Sequence, residues 1–260
     1  MADPALPILM YHGLHSGAED PGVYDPVYSL EPRDFAAQLD WLAANGYRTT
    51  RLRDLDPQQD SGRVRHAVIT FDDGDISNLE VALPELSKRG MVAEFFVTAD
   101  FVGRPGRLAP VDLRTLAEAG MSVQAHGCTH RFLDDLSFEE VERELSDSKR
   151  RLEAILGQPV TGLALPGGRG GERERTLALG MGYLDVLGSV PGRNRGWSRG
   201  HYLQRLAVTR GLPLADFASM VSGRGVLPVA MQARYHVLAW AKRLLGNQRY
   251  EHFRARMLDR

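Results

Sequence analysis

Short apolar runs alternate with amphipathic stretches along most of the chain. Residues 6–11 (LPILMY) are continuously apolar and predict a buried strand. Residues 31–46 then place Phe35, Leu39 and Leu42 on one helical face, with Gly46 as the stop. This pairing recurs. Strands are predicted at 67–71 (AVITF), 93–98 (AEFFVT), 121–125, 162–165, 184–190 and 202–209. Helices are predicted at 77–90, 111–120, 137–157, 172–182 and 213–222. The helix at 137–157 is the best punctuated: Ser137 with Glu140 three residues on is a capping box, and Gly157 closes it. Residues 191–200 read as a Gly/Arg/Asn-rich surface loop, and 228–260 as a basic helical tail.

Strand followed by helix, about seven times over, predicts a parallel sheet with helices outside it. The strands are near-continuous apolar runs, so both of their faces are covered. A closed or nearly closed α/β barrel fits best. An open doubly wound sheet is second, because no GxGxxG turn follows the first strand. A length of 260 residues suits one large domain, placed at 1–227, with 228–260 as a helical extension packed on it.

Composition narrows the function. Lys and Arg number 32 against 33 Asp and Glu, so the basic excess that duplex binding requires is missing and no nucleic-acid partner is expected. A single cysteine, Cys128, excludes an intrachain disulfide. The first residues show no basic segment backed by an apolar run, and no stretch approaches the roughly 18 apolar residues that span a bilayer. The expectation is a cytoplasmic protein with no membrane span.

Three polar clusters fall where predicted strands end: His12 after ILMY, Asp72-Asp73-Gly74 after AVITF, and His126-Gly-Cys-Thr-His130 after 121–125. In parallel barrels the C-terminal strand ends carry the active site, so all three can converge. Adjacent carboxylates repel unless a cation or strong donors compensate. Asp-Asp-Gly is also good turn chemistry, and both readings stand at this point. Histidines four apart can share one metal ion, and imidazole with carboxylate suits zinc, iron, cobalt or nickel. One carboxylate and two histidines leave coordination positions open for water and substrate.

TFDDG at 70–74 and the His-Gly-Cys-Thr-His segment at 126–130, at this separation, resemble the first two motifs of the polysaccharide deacetylases, the nodulation-type enzymes of carbohydrate esterase family four. The likeness runs over roughly residues 8–211. It implies a distorted (β/α)7, TIM-like barrel in a single domain. It also implies Asp72 as general base, and Asp73, His126 and His130 as ligands of a divalent metal ion. Zinc is foremost there, with cobalt, nickel, iron or manganese as alternatives. The family's third motif normally supplies an arginine that orients the base; here Ala164 stands in that place, with Arg169 as a nearby substitute. The family's histidine acid is absent from the end of the 202–211 stretch, and the opening ILMYHG looks like that strand moved to the N-terminus. A circularly permuted, poly-N-acetylglucosamine deacetylase-like subgroup begins in a similar way, and on this resemblance His12 is the general acid.

The implied reaction removes the acetyl group of an N-acetylated sugar, poly- or oligosaccharide or precursor, to give acetate and a free amine. The carbohydrate substrate is the expected partner. Two alternatives remain: an amidohydrolase acting on a small C–N compound, and a catalytically impaired carbohydrate-binding relative. Among the other histidines, His15 and His201 are placed near the cleft. Cys128 is read as a small filler rather than a nucleophile.

Overall fold

The computed structural model describes residues 5–55, 64–196 and 198–233. Its strands and helices alternate as the apolar pattern requires. β1 (Leu6–Tyr11) leads through a long loop to α1 (Pro32–Ala44), then β2 (Tyr47–Thr49) and β3 (Arg65–Asp73). α2 (Leu83–Lys88), β4 (Glu94–Val97), α3 (Pro110–Glu118), β5 (Ser122–Ala125) and α4 (Phe138–Leu156) follow. β6 (Gly162–Ala164), α5 (Glu172–Gly180), β7 (Asp185–Leu187) and β8 (Arg193–Asn194) come next. β9 (Tyr202–Leu203), β10 (Leu206–Ala207) and α6 (Leu214–Ser222) complete the described chain.

The principal path of the sheet runs β10-β1-β3-β4-β5-β6-β7-β9, parallel throughout, with β2 added to β3 and β8 antiparallel to β1. β9 and β10 belong to one predicted strand, 202–209, which the structure divides. Its first half pairs with β7 and its second with β1. The change of partner occurs at Gln204 and Arg205, so this segment joins the two ends of the sheet into a nearly closed barrel. The expected (β/α) barrel is therefore what forms.

Strand alternation sorts the side chains into two layers. Outward-facing Leu9, Tyr11, Ile69, Phe71, Phe95 and Val123 pack beneath the helices. Phe35, Leu39 and Leu42 of α1 are fully buried there, each contributing about 1.5–3 kcal/mol of hydrophobic stabilisation. Inward-facing Ile8, Val68, Phe96, Ala164, Leu187 and Leu203 fill the barrel. The same inward row carries Thr70, Asp72, Glu94, Gln124, His126 and Arg205, all buried.

Several boundaries differ from the sequence pattern. The predicted helix at 77–90 opens as a π-helical turn over Asn78–Ala82 before α2, because Pro84 has no N–H to give to the carbonyl one turn back. β2 was not predicted, being only three residues long. The loop at 191–200 contains β8. The expected tail helix begins at 227 and continues to 233; residues 234–260, most of the proposed extension, lie outside the described residues. Among the described residues no helix is long and apolar enough to cross a membrane.

Candidate metal centre

β3 delivers Asp72 and Asp73 while still in register with β4, at Phe96 and Val97. Strict alternation would point Asp72 inward and Asp73 away. The backbone corrects this: Asp73 has φ of 74° and Gly74 of 77°, so the chain turns sharply and swings the Asp73 carboxylate back to the barrel mouth. His130 has φ of 68°, and these two are the only non-glycine residues with positive φ among the described residues. Such backbone costs on the order of 1–3 kcal/mol per residue and persists where the surroundings enforce it. Both strained residues belong to the same cluster.

That cluster is tight. Asp73 Oδ1 lies 3.1 Å from His130 Nε2 and 3.5 Å from His126 Nε2. One ligand atom from each of the three residues falls within 4.8 Å of the others. His126 Nδ1 lies 2.9 Å from the Ala164 carbonyl, which can only accept, so this nitrogen carries the proton and Nε2 presents a bare lone pair. Asp73 Oδ1 is buried and has no hydrogen-bond partner, despite its nearness to both imidazoles. Three donor groups, a carboxylate and two imidazoles, converge on one point, and such a set suits a cation. Metal-bound histidines are oriented in this same manner by a carbonyl on the far nitrogen. The donor set fits a divalent transition metal, zinc included.

The loop bearing the histidines is held by one buried side chain. Glu144 of α4 accepts the Cys128 and Thr129 N–H groups through Oε2, both at 2.9 Å, and the Thr129 hydroxyl through Oε1 at 2.5 Å. The loop also extends the β4–β5 pairing, since the His126 N–H donates to Val97 O. Gly127, with φ of 73°, fits because a Cβ there would sit 3.1 Å from Pro166 and 3.5 Å from Glu144. Cys128 is buried, and burial pushes its thiol up to about 11, in keeping with a filler.

Asp72 has a different environment. Arg205 grips it with both arms, Nη1 to Oδ1 at 2.7 Å and Nη2 to Oδ2 at 2.8 Å. Arg205 also donates to Gly188 O and to the Thr70 hydroxyl, which in turn donates to Leu9 O. Burial raises the Asp72 carboxyl, but the charges of Arg205 and His126 with the Arg205 hydrogen bonds outweigh it and hold it below the usual carboxylate range. Burial likewise opposes the ionised Asp73, and the neighbouring His130, His126 and His12 hold that carboxyl well below its ordinary value. Burial keeps the His126 imidazole neutral against the pull of Asp72 and Asp73. Each oxygen of Asp72 keeps a lone pair free after meeting Arg205, so the carboxylate can still take a proton.

The arginine was not found from the sequence. Arg169, the suggested substitute, pairs with Asp134 and Asp135 and lies over the Phe132 ring, so it does not reach Asp72. The available signal was a lone arginine in the apolar strand YLQRLAV, two positions after inward-facing Leu203.

His12 follows β1 at the same barrel end and bears on the charges of both Asp72 and Asp73. Its ring stacks on Tyr28 at 4.6 Å, and its Nδ1 is buried without a partner. His15 does not line the cleft as expected: it is fully buried between Asp75 and Ser29, tying the β1–α1 loop to the loop after β3. His201 precedes β9 and therefore sits at the opposite end of the barrel from the strand termini that carry the cluster.

Comparison with known proteins agrees with this geometry. The polysaccharide deacetylase family profile matches residues 59–186. The Bacillus subtilis protein YxkH, a polysaccharide deacetylase by name, is 29% identical over 222 residues, covering 83% of this chain and 76% of its own. A polysaccharide deacetylase structure from Bacillus anthracis, BA0330, superposes with a TM-score of 0.74 at 25% identity, over 84% of this chain and 69% of that one. The Streptococcus pyogenes deacetylase PplD, solved with acetate, shares the fold with a TM-score of 0.74 at 23% identity, over 85% and 99% of the two chains. Both motifs, the barrel and these relatives agree: residues 59–186 carry a polysaccharide deacetylase domain, and the chain is similar to polysaccharide deacetylases over most of its length.

Proposed function

We propose that this chain hydrolyses the N-acetyl group of N-acetylglucosamine-type sugars, using a divalent cation held by Asp73, His126 and His130. The observation that carries the reading is the convergence of the Asp73 carboxylate with the His126 and His130 imidazoles beside an Arg205-clamped carboxylate. A cation there, zinc foremost, would polarise the acetyl carbonyl and make water acidic enough to attack it.

The side chains divide the remaining work. Asp72 takes a proton from the attacking water as the new C–O bond forms at the carbonyl carbon. Developing negative charge on the carbonyl oxygen needs a fixed donor. The Gly168 N–H is spent on Leu165 O, so the Gly167 N–H is the candidate from that turn. His12 delivers a proton to the amide nitrogen as the C–N bond breaks, so the sugar leaves as an amine and acetate remains. In this reading β1, which lies between β3 and β10, serves as the displaced last strand of a permuted barrel.

The test is acetate release from N-acetylglucosamine oligomers by the metal-loaded chain. Asp72→Asn is expected to retain one metal per chain and to lose at least about 100-fold in kcat. Full activity in that variant would remove Asp72 from its role. Metal binding without acetate release from any acetylated sugar would overturn the function.

A further inference from the structure

The loop after β4 carries a second cationic feature that the hydrolytic chemistry does not use. The Arg107 guanidinium lies over the Phe101 ring, 4.7 Å from its centroid, and that ring is 5.7 Å from the His130 imidazole. Arg104 covers the same ring at 5.4 Å. The Arg107 side chain is only 13% exposed, and its nearest carboxylate oxygen, Asp73 Oδ2, is 3.8 Å away, beyond hydrogen-bond reach. Among the described residues its guanidinium makes no hydrogen bond. Other well-covered arginines differ: Arg205, Arg169 and Arg210 each meet carbonyls or carboxylates at 3.1 Å or less. No acceptor among the described residues saturates this guanidinium, so its N–H groups remain open to an anion at the barrel mouth.

The placement is rigid. Arg107 bridges to Asp75, the Ile76 N–H donates to Gly106 O, and the Leu108 N–H donates to Gly74 O. The loop is thus fastened to the segment that presents Asp72 and Asp73. On its other side Gly106 abuts the backbone of Gly22, where an added Cβ would approach within 2.9 Å. Arg107 is therefore fixed beside the centre, with exposed Arg104 farther out on the same loop.

We propose that Arg107 and Arg104 form an anion subsite, and that the substrate is an N-acetylated sugar bearing a phosphate or carboxylate close to its acetamido group. The planar fork of Arg107 suits two-point contact with either group, while Arg104 draws the charged substrate toward the mouth. This inference rests on the deacetylase reading and adds substrate selection to it.

The experiment compares kcat/KM for acetate release from three oligomers of equal length: neutral, phosphate-bearing and carboxylate-bearing. The expected result is at least a tenfold preference for one charged oligomer, shrinking as salt rises. Which one is preferred identifies the anion. In Arg104→Gln, whose side chain is exposed and whose folding is not at issue, the ratio of charged to neutral kcat/KM falls severalfold. In Arg107→Lys, which keeps the charge but loses the fork, it also falls. Equal kcat/KM for all three oligomers in the wild type, or a preference that survives both substitutions, overturns the subsite and leaves the deacetylase reading intact. Absence of acetate from all three overturns both.

Discussion

Replacing Arg205 with Met removes the guanidinium from Asp72 while keeping an unbranched side chain of similar reach. Both partners are buried, with side chains 0% and 3% exposed, so solvent cannot screen the loss. The substitution deletes four hydrogen bonds, two of them to a carboxylate that stays behind in the barrel. Breaking a buried pair from one side costs about 3–5 kcal/mol, most of it the uncompensated charge. For a chain of this size that lowers Tm by roughly 10 °C. Activity falls as well. Asp72, the proposed base, loses the fork that fixes its plane, and a misplacement of about 1 Å costs on the order of 100-fold. Loss of the guanidinium also raises the Asp72 carboxyl, so the acid limb of the kcat/KM profile moves to higher pH. The assay is a double-mutant cycle by chemical denaturation with Asp72→Asn. Arg205→Met is expected to cost clearly less when residue 72 is already neutral, with a coupling of about 0.5–3 kcal/mol. Arg205→Lys, which cannot make both contacts, falls between. An Arg205→Met variant with wild-type stability, activity and pH profile would refute the reasoning.

Further outcomes follow from other side chains. Glu144→Ala strips the acceptor from three donors of the 126–130 loop and is expected to weaken metal affinity about 10–100-fold, with Glu144→Gln milder; unchanged affinity by calorimetric titration would contradict this. Removing the cation with a chelator abolishes activity. Relative to protein at 100 times the metal Kd it also costs about 2.7 kcal/mol, visible as a Tm lowered by about 5–10 °C, and a Tm indifferent to metal speaks against the site. Glu94 tests the barrel's other end. Burial, reinforced by Asp185, pushes it up to about 7 although it accepts the Leu52 N–H. Between about pH 4.5 and 7 the folded chain keeps a proton that the unfolded chain has released, so stability falls as pH rises through that window. The wild type should therefore lose on the order of 3 kcal/mol relative to Glu94→Gln across it, and parallel stability curves would refute the claim.

Local sequence carries much of this architecture because each element is punctuated nearby. The Ser137–Glu140 capping box forms as read, and Gly157 closes α4 in a left-handed conformation. The apolar runs give the barrel because their two layers of side chains need covering on both faces. Motif spacing brings Asp73, His126 and His130 together, since each follows a strand whose neighbours are fixed by the sheet. Long-range partners are another matter. The contact from Arg205 to Asp72 spans 133 residues and depends on where one strand changes neighbour, which no local pattern encodes. His15 misleads for the same reason: its burial depends on Asp75, supplied by a loop sixty residues away. Glu144 looks like an ordinary charged position on an amphipathic helix until the 126–130 loop is seen to lie over it.

The most direct measurement is a crystal structure of the zinc-loaded chain with anomalous data at the zinc edge. One peak is expected, bonded to an Asp73 carboxylate oxygen, His126 Nε2 and His130 Nε2 at about 2.0–2.2 Å, with Asp72 uncoordinated and still in the grip of Arg205. A zinc ion bound elsewhere, or bound here through Asp72 in place of Asp73, would contradict the proposed metal site.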